Sequence, residues 1–365
     1  MGMENRLKSY PTVSIIIPAR NEEDNISNCL ESLLTQDYSN LEIIVVNDSS
    51  IDRTGDIINE YQKIYPKKII GVTSKIKPVD WIGKNWVCYL GYLKSKGQIL
   101  MFIDADTILT HSSAISVAII YQIEKKLACL TMRPSILLEG VWLKIIFPLL
   151  WIFSQIKYSS RRLNNYKHAG YLFGCFYLIT RQAYEQIGTH KAVKHELIED
   201  KALGEKIKQQ KLSFEMLIGE YYVKTKISGN FASIWQGLKR SINLFPFQHG
   251  QVITCFLLII LLFEPIISIF LVIYMQFIKF SGWDLISIKI FSLITLFSIV
   301  TIYLLSTLKL LHFQFKKPIY TLTFPISCII ISIGFIFFIA KGKKGFEINW
   351  RERTYSITNK DIKNE

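Results

Sequence analysis

Short apolar runs of strand length alternate with segments of helical periodicity over the first hundred residues. Four runs are rich in β-branched and large apolar residues, which predicts strands buried on both faces. They lie at 13–17, 41–46, 68–72 and 99–103. The three segments between them repeat apolar residues at helical spacing, at 26–34, 51–61 and 85–95. Strands that alternate with helices favour an α/β fold with a mostly parallel sheet.

The alternation loosens after residue 110. Apolar runs at 128–132 and 173–179 predict two further strands, and 196–209 has the periodicity of a helix. Gly140–Tyr158 is apolar and aromatic but is interrupted by Pro148. We interpret this stretch as an interfacial or re-entrant element, with a buried core helix as the alternative.

The C-terminal third is far more apolar than the rest and raises the mean hydropathy to +0.26. Val252–Met275, Leu285–Leu311 and Ile319–Ala340 are each long enough to cross a bilayer, which takes about 20 apolar residues. Before them, Phe231–Phe245 has one apolar helical face with basic residues off it, which predicts a helix in the lipid headgroup plane. The predicted organisation is therefore an α/β domain at 1–230, an interfacial helix at 231–250, about three transmembrane helices at 251–340 and a polar basic tail at 341–365.

The composition and charge of the chain indicate its cellular location and its partners. The N-terminal residues lack the apolar segment of a cleavable signal, so we expect the large domain to face the cytoplasm and the chain to be a multi-pass protein of the cell membrane. Six scattered cysteines without a C-x-x-C pair suggest neither a zinc site nor a disulfide framework. The net charge of +14 is explained by anionic membrane lipids and phosphorylated ligands, and we expect no nucleic-acid partner.

Two carboxylates close the fourth predicted strand, at Asp104 and Asp106. The carboxyl ends of parallel strands form the edge where open α/β sheets bind ligands. Carboxylate oxygens are suited to Mg²⁺ or Mn²⁺ that bridges the phosphates of a nucleotide. An ordinary acidic turn after a strand is the alternative interpretation of this pair.

Other polar motifs stand at or between the predicted strand ends, and their order along the chain is informative. They are Pro18-Ala-Arg-Asn-Glu22, Asn47-Asp-Ser-Ser50, Trp81-Ile-Gly-Lys-Asn85, Asp104-Ala-Asp106 and Glu199-Asp200. This series, over about residues 11–230, resembles the family 2 glycosyltransferases of the GT-A fold. The forms W-x-G-K-N and F-I-D-A-D and the closing Trp350-Arg-Glu-Arg look like the subgroup that glycosylates carotenoid acids or accompanies hopanoid synthesis.

The resemblance implies a donor site for a UDP- or GDP-sugar. Asp48 would accept a hydrogen bond from the imide N–H of uracil or the equivalent base edge, and the loop of Pro18, Ala19, Arg20, Asn21 and Glu22 would wrap the base and ribose. Asp106 would hold the metal, and Asp104 would face the metal or the ribose. Lys84 would pair with a phosphate that Gly83 lets the backbone approach. A helix-capping Asp48 and a solvated Lys84 are the alternatives.

The resemblance also implies a base and an acceptor side. Family 2 enzymes invert the anomeric carbon, so a carboxylate must take the acceptor's proton, and the family pattern places that role on Asp200, with Glu199 second. Two helix N-terminal acids that complement the helix dipole are also a good description of the pair, and the two interpretations do not exclude each other. Gly170 and Gly174 match the family's glycine-containing acceptor-side loop.

The sequence departs from the family at its interfacial helix. Processive members carry Q-x-x-R-W, whereas Gln236-Gly-Leu-Lys-Arg240 lacks the final tryptophan, which favours a single sugar transfer. Lys239 or Arg240 would still touch the diphosphate, and Trp235 belongs to the apolar stripe on the acceptor side.

We therefore expect a membrane-bound, metal-assisted inverting glycosyltransferase that moves one sugar to a lipid or isoprenoid acceptor. A polyprenyl-phosphate sugar synthase would use the same donor machinery. A nucleotidyltransferase would need a glycine-rich loop where Pro18-Ala-Arg-Asn21 stands. A non-catalytic membrane scaffold or transporter would leave the carboxylates at the strand ends without a role.

Overall fold

The computed structural model describes residues 11–74, 76–157, 163–165, 170–242, 346–350 and 353–357, together with scattered positions between 270 and 334. The chain divides into two compact units. The first contains residues up to 137 and 155–227, and the second contains 138–154 and 228–365. The sequence predicts a single domain boundary near residue 230. In the structure, residues 138–154 belong to the same unit as residues 228–365.

The first unit is built on a mixed seven-stranded sheet with the order β3-β2-β1-β4-β8-β6-β9. Its strands are β1 (Val13–Ala19), β2 (Leu41–Asn47), β3 (Ile69–Thr73), β4 (Ile99–Phe102), β6 (Cys129–Arg133), β8 (Tyr177–Thr180) and β9 (Phe214–Ile218). Neighbouring strands are parallel except where β8 pairs with β4 and with β6. A smaller sheet has the order β5-β10-β7, with β5 at Thr107–Leu109, β7 at Ser135–Glu139 and β10 at Val223–Ser228. The mostly parallel α/β architecture predicted from the sequence is confirmed.

Helices connect the strands close to where periodicity places them. They are α1 (Ile26–Leu34), α2 (Thr54–Ile64), α3 (Gly83–Lys94), α4 (Ala114–Glu124), α5 (Val141–Lys157), α6 (Arg181–Gln186) and α7 (Glu199–Gln209), with a short 3₁₀ helix at His190–Val193 before α7. Helix α2 begins at Thr54, three residues later than the predicted start at 51. The cap residue is Arg53, while the Asp52 carboxylate accepts from the N–H of Thr54 at 3.0 Å.

The core lies on both faces of the large sheet because successive strand residues point to opposite sides. Ile15 and Ile17 of β1 face α1 and α4, and Ile16 faces α3 and α7. Gly91 of α3 packs so closely on β1 that a methyl group there would lie 2.5 Å from Cγ2 of Ile16. This close packing fixes α3 on the sheet.

The second unit contains most of α5, helix α8 (Phe231–Ile242) and an antiparallel hairpin of β11 (Phe346–Trp350) and β12 (Arg353–Ile357). The hairpin lies where the sequence predicted only a polar tail. The stretch interrupted by Pro148 is one helix, α5, with Leu143 and Ile146 buried and Trp142 exposed. None of the helices that the structure describes is long and apolar enough to cross a bilayer. The three predicted spans at 252–275, 285–311 and 319–340 lie largely outside the described residues.

Candidate active site

The loops after β1 and β2 meet at one edge of the sheet because these strands are adjacent and parallel. Arg20 donates through Nη1 to the carbonyl oxygen of Asp48 at 2.6 Å, and the N–H of Asn21 donates to the Ser50 hydroxyl at 3.1 Å. The N–H of Glu22 donates to the Thr54 hydroxyl at 2.8 Å. Of the predicted base-binding loop, Arg20, Asn21 and Glu22 thus hold the two loops together.

Asp48 is buried where this double loop joins the sheet. It is 4% exposed, and its N–H donates to the carbonyl of Ala19 at 2.8 Å, next to Pro18 in β1. The alternative that Asp48 caps a helix is wrong, because the next helix starts at Thr54. Its role toward a nucleotide base stays a prediction.

Lys84 is the central cation of the site. Gly83 and Lys84 open α3, and Lys84 Nζ lies 2.8 Å from Asp104 Oδ1 and 2.8 Å from Glu199 Oε1. Burial acts to lower the pKa of Lys84, but these two carboxylates outweigh it, so the pKa lies well above its usual value. The alternative of a solvated lysine is therefore wrong.

Asp200 lies beside this ion pair in the first turn of α7. Its Oδ1 accepts from the N–H of Lys201 at 2.8 Å, and the carbonyl of Asp200 accepts from the N–H of Leu172. Burial and the neighbouring Glu199 raise the pKa of Asp200 to about 7, while Lys84 acts in the opposite direction. A carboxyl group with a pKa near neutrality can both take and return a proton under physiological conditions.

The two predicted acceptor-side glycines have different surroundings. A methyl group built on Gly174 would lie 3.2 Å from Lys84 Nζ and 3.3 Å from Asp200 Oδ2, so Gly174 lines the charged cluster. A methyl group on Gly170 would lie 1.9 Å from the carbonyl oxygen of Gly204, in α7. Gly170 therefore allows the loop to pack against α7, and its contact with an acceptor stays a prediction.

Asp104 and Asp106 flank the buried Ala105 in the turn between β4 and β5. Asp106 Oδ1 accepts from the hydroxyl of Thr225 at 3.2 Å. No cluster of three or more His, Cys, Asp or Glu residues that could hold a metal occurs among the described residues. Two adjacent carboxylates nevertheless fit Mg²⁺ or Mn²⁺, because Mg²⁺ is commonly bound by one or two carboxylates together with the phosphates of a substrate.

The remaining predicted residues lie in the second unit. Trp235 stacks with Phe231 at 6.1 Å between ring centroids, and Phe231 meets Trp142 edge-on at 5.1 Å. Arg240 belongs to α8, but its side chain lies outside the described residues.

Comparison with known proteins identifies the first unit. Residues 14–188 match the profile of glycosyl transferase family 2, and this range contains the double loop, Lys84 and both aspartates of the D-x-D turn. The match covers just under half of the chain, and we call the first unit, which contains most of it, the family 2 domain. The predicted resemblance to this family is confirmed.

Curated relatives of the family 2 domain are named 4,4'-diaponeurosporenoate glycosyltransferase. The protein from Staphylococcus haemolyticus (strain JCSC1435) is 29% identical over 219 residues, which cover 59% of this chain and 56% of the relative. The protein from Staphylococcus aureus (strain USA300) is 26% identical over 239 residues, which cover 64% and 62%. The chain thus spans less than two thirds of the length of either relative. The predicted similarity to carotenoid-acid glycosyltransferases is confirmed by these relatives.

Two solved structures are similar to the chain. The mannosyltransferase PcManGT from Pyrobaculum calidifontis, in complex with GDP-Man and Mn²⁺, has 13% identity and a TM-score of 0.49, with 90% of this chain and 88% of that chain covered. S. aureus TarS has 17% identity and a TM-score of 0.43, with 66% and 41% covered.

Sequence reasoning missed Thr225 as a partner of the family 2 domain's D-x-D turn. Thr225 is buried on β10 and pairs with Thr107 in register. A lone threonine in a strand carries no signal of such a contact, because only the pairing of β10 with β5 brings it to Asp106.

Proposed function

We propose that the family 2 domain transfers a single sugar from a UDP- or GDP-sugar to a lipid or isoprenoid acceptor, with inversion at the anomeric carbon. The observation that carries this proposal is the arrangement around Lys84, where one ammonium group contacts Asp104 and Glu199 beside Asp200. Three carboxyl groups and one lysine converge in a family 2 domain where donor and acceptor would meet.

The donor half of the site would consist of the double loop, Asp48, Lys84 and the D-x-D turn. Asp48 would accept from the base, and Lys84 would bind a phosphate of the diphosphate. Asp104 and Asp106 would hold a Mg²⁺ or Mn²⁺ ion, which supplies positive charge that stabilises the departing diphosphate. The protein's own contribution there is to fix both aspartates, through Lys84 and Thr225.

Asp200 would take the proton of the acceptor hydroxyl as that oxygen attacks the anomeric carbon. Its pKa of about 7 means that a large fraction is ionised at neutral pH and that the proton, once taken, is returned readily to water. Glu199 remains bound to Lys84 and keeps that ammonium group beside the reacting atoms. Gly174 leaves the space between Lys84 and Asp200 open to the acceptor.

The acceptor class rests on the relatives and on the second unit. The relatives are named for 4,4'-diaponeurosporenoate, which favours an isoprenoid or lipid acceptor. Val141 is 69% exposed, Trp142 42% and Phe231 40%, and such exposed apolar residues are typical of helices at a membrane interface. We propose that the protein resides in the cell membrane with its family 2 domain facing the cytoplasm.

The experiment that tests this function supplies the full chain in membranes with a panel of radiolabelled nucleotide sugars and extracts the lipids. Label should enter the lipid fraction from one donor, and Asp200→Asn is the matched variant that tests the base. For a hydroxyl acceptor, turnover by that variant should fall about 10²–10⁴-fold while donor affinity stays within a few-fold. A carboxylate acceptor is already ionised at neutral pH, so the loss would be much smaller.

The chemistry of the product separates the two enzymatic candidates. A glycoside of a lipid hydroxyl withstands mild base and mild acid, and a glycosyl ester is released by mild base. A glycosyl phosphodiester, the product of a polyprenyl-phosphate sugar synthase, is released by mild acid. Absence of both transfer and nucleotide binding would reject the enzyme and favour a scaffold or transporter.

A further inference from the structure

The N-terminal end of α3 is bound to the chain that leads into α7 through one buried amide. Asn85 is 0% exposed, and its Nδ2 donates to the carbonyl of Val193 at 2.7 Å and to the carbonyl of Glu196 at 2.9 Å. Its Oδ1 is buried without a hydrogen-bond partner among the described residues. The side chain therefore acts as a double donor, and it meets a segment far away in sequence.

Two further contacts join the same segments. The N–H of Ile82 donates to the carbonyl of Lys194 at 2.8 Å, and the Lys194 ammonium group contacts the carboxylate of Asp80 at the surface. We call residues 190–196 the strap. It is anchored at its start by His190, whose backbone N–H donates to the Tyr184 hydroxyl at 3.1 Å.

The strap and α3 are fixed by different means. Helix α3 also packs on the sheet through Gly91, Val87 and Cys88, so the sheet holds it in addition to the strap. The strap is held to α3 by the buried side chain of Asn85. It ends three residues before Glu199, at the start of α7. A buried amide that donates to two carbonyls is expected to hold such a segment firmly, because each carbonyl would lose a partner in the interior if the segment moved.

We propose that Asn85 is a positioning residue for the reaction, which holds the first turn of α7 so that Glu199 and Asp200 meet Lys84. This inference rests on the proposed function and adds a residue to it. Loss of the Asn85 amide should displace the base side of the site and leave the donor side, which is fixed by the sheet, in place. Displacements of about 1 Å can reduce catalysis by about 100-fold.

The test compares Asn85→Ala with the wild type in the full chain. We expect kcat to fall about 10- to 100-fold while the KM for the donor stays within about 3-fold, because only the base side moves. Amide hydrogen exchange of residues 194–201 should become faster, whereas exchange in the middle of α3 should not. If Asn85→Ala does not fold, Lys194→Ala removes only the surface contact and should lower kcat by about 2- to 5-fold.

Gln122 provides a matched control. It is also buried, and its Nε2 donates to the carbonyls of Leu127 and Ala128 at 3.3 and 3.5 Å, with Oε1 unpartnered among the described residues. These carbonyls lie where β6 begins, and β6 runs parallel to β4, so Gln122 stands at the edge of the sheet opposite the site. Gln122→Ala should lose stability to a similar extent and keep kcat.

Three results would overturn the proposal. They are an unchanged kcat in folded Asn85→Ala, an equal loss of kcat in Gln122→Ala, and unchanged exchange at 194–201. If the wild type transfers no sugar from any donor, the proposed function fails instead. The exchange measurement still decides whether Asn85 holds the strap, because it needs no activity.

Discussion

Replacing Lys84 by glutamine should raise the pH at which the enzyme becomes active. A hydroxyl acceptor needs a base, and Asp200 can accept the proton only when it is ionised. With such an acceptor, its pKa of about 7 predicts that the wild type loses activity as the pH falls below neutrality. The groups that face Asp200 are Glu199 and Asp104, which raise its pKa, and Lys84 and the N–H of Lys201, which lower it. Removal of the lysine charge therefore raises the pKa and moves the acid limb of the rate profile to higher pH.

The magnitude follows from the positions of the two charges. A methyl group on Gly174 would lie 3.2 Å from Lys84 Nζ and 3.3 Å from Asp200 Oδ2, so these atoms are at most about 6.5 Å apart, the sum of the two distances. Two unit charges at that separation interact by about 2.5 kcal/mol at an effective dielectric constant of about 20, which corresponds to about 2 pKa units. Without Lys84, Glu199 also takes up a proton more readily, which reduces the effect. We therefore expect a displacement of about 1 to 2 pH units.

The assay measures initial rates at saturating donor and acceptor from about pH 5 to about pH 10. Lys206→Gln is the matched control, because it removes the same charge from the far end of α7. Saturation separates this effect from weaker donor binding by the variant. An acid limb that stays at the wild-type pH in Lys84→Gln would refute the electrostatic coupling, and a wild-type limb near pH 4 would refute the raised pKa.

Three further predictions follow from the site and the second unit. Asp106→Asn should lower donor affinity steeply and chelation should mimic it, whereas full activity after EDTA treatment would contradict the metal role. Gly174→Ala should lower turnover about 10-fold by filling space between two reacting groups, while Gly170→Ala should chiefly lower the melting temperature because its methyl group meets the Gly204 carbonyl. Trp235→Glu should reduce transfer to lipid more than donor hydrolysis, and equal losses of the two activities would reject a membrane-facing role for α8.

The sequence alone determined the strand and helix alternation of the first unit. Strands such as 13–17 and 99–103 are buried on both faces. Burial on both faces requires a continuous run of apolar residues, which can be recognised in the sequence without knowledge of the fold. The same runs mark where strands end, so the polar motifs that follow them could be assigned to one edge. Their order was enough to indicate the family.

The tertiary structure alone decided which of these residues meet. Lys84, Asp104 and Glu199 lie in three separate parts of the chain. Only the order of the strands and the packing of α3 and α7 place the carboxylates of Asp104 and Glu199 each 2.8 Å from Lys84 Nζ. The sequence predicts the same acceptor-side role for Gly170 and Gly174. In the structure, Gly170 packs on α7, whereas Gly174 lines the cluster of Lys84 and Asp200. Periodicity and propensity indicate which residues of a segment are buried. The charge state of Asp200, in contrast, depends on neighbouring charged residues that come from distant parts of the chain and lie close to it only in the folded protein.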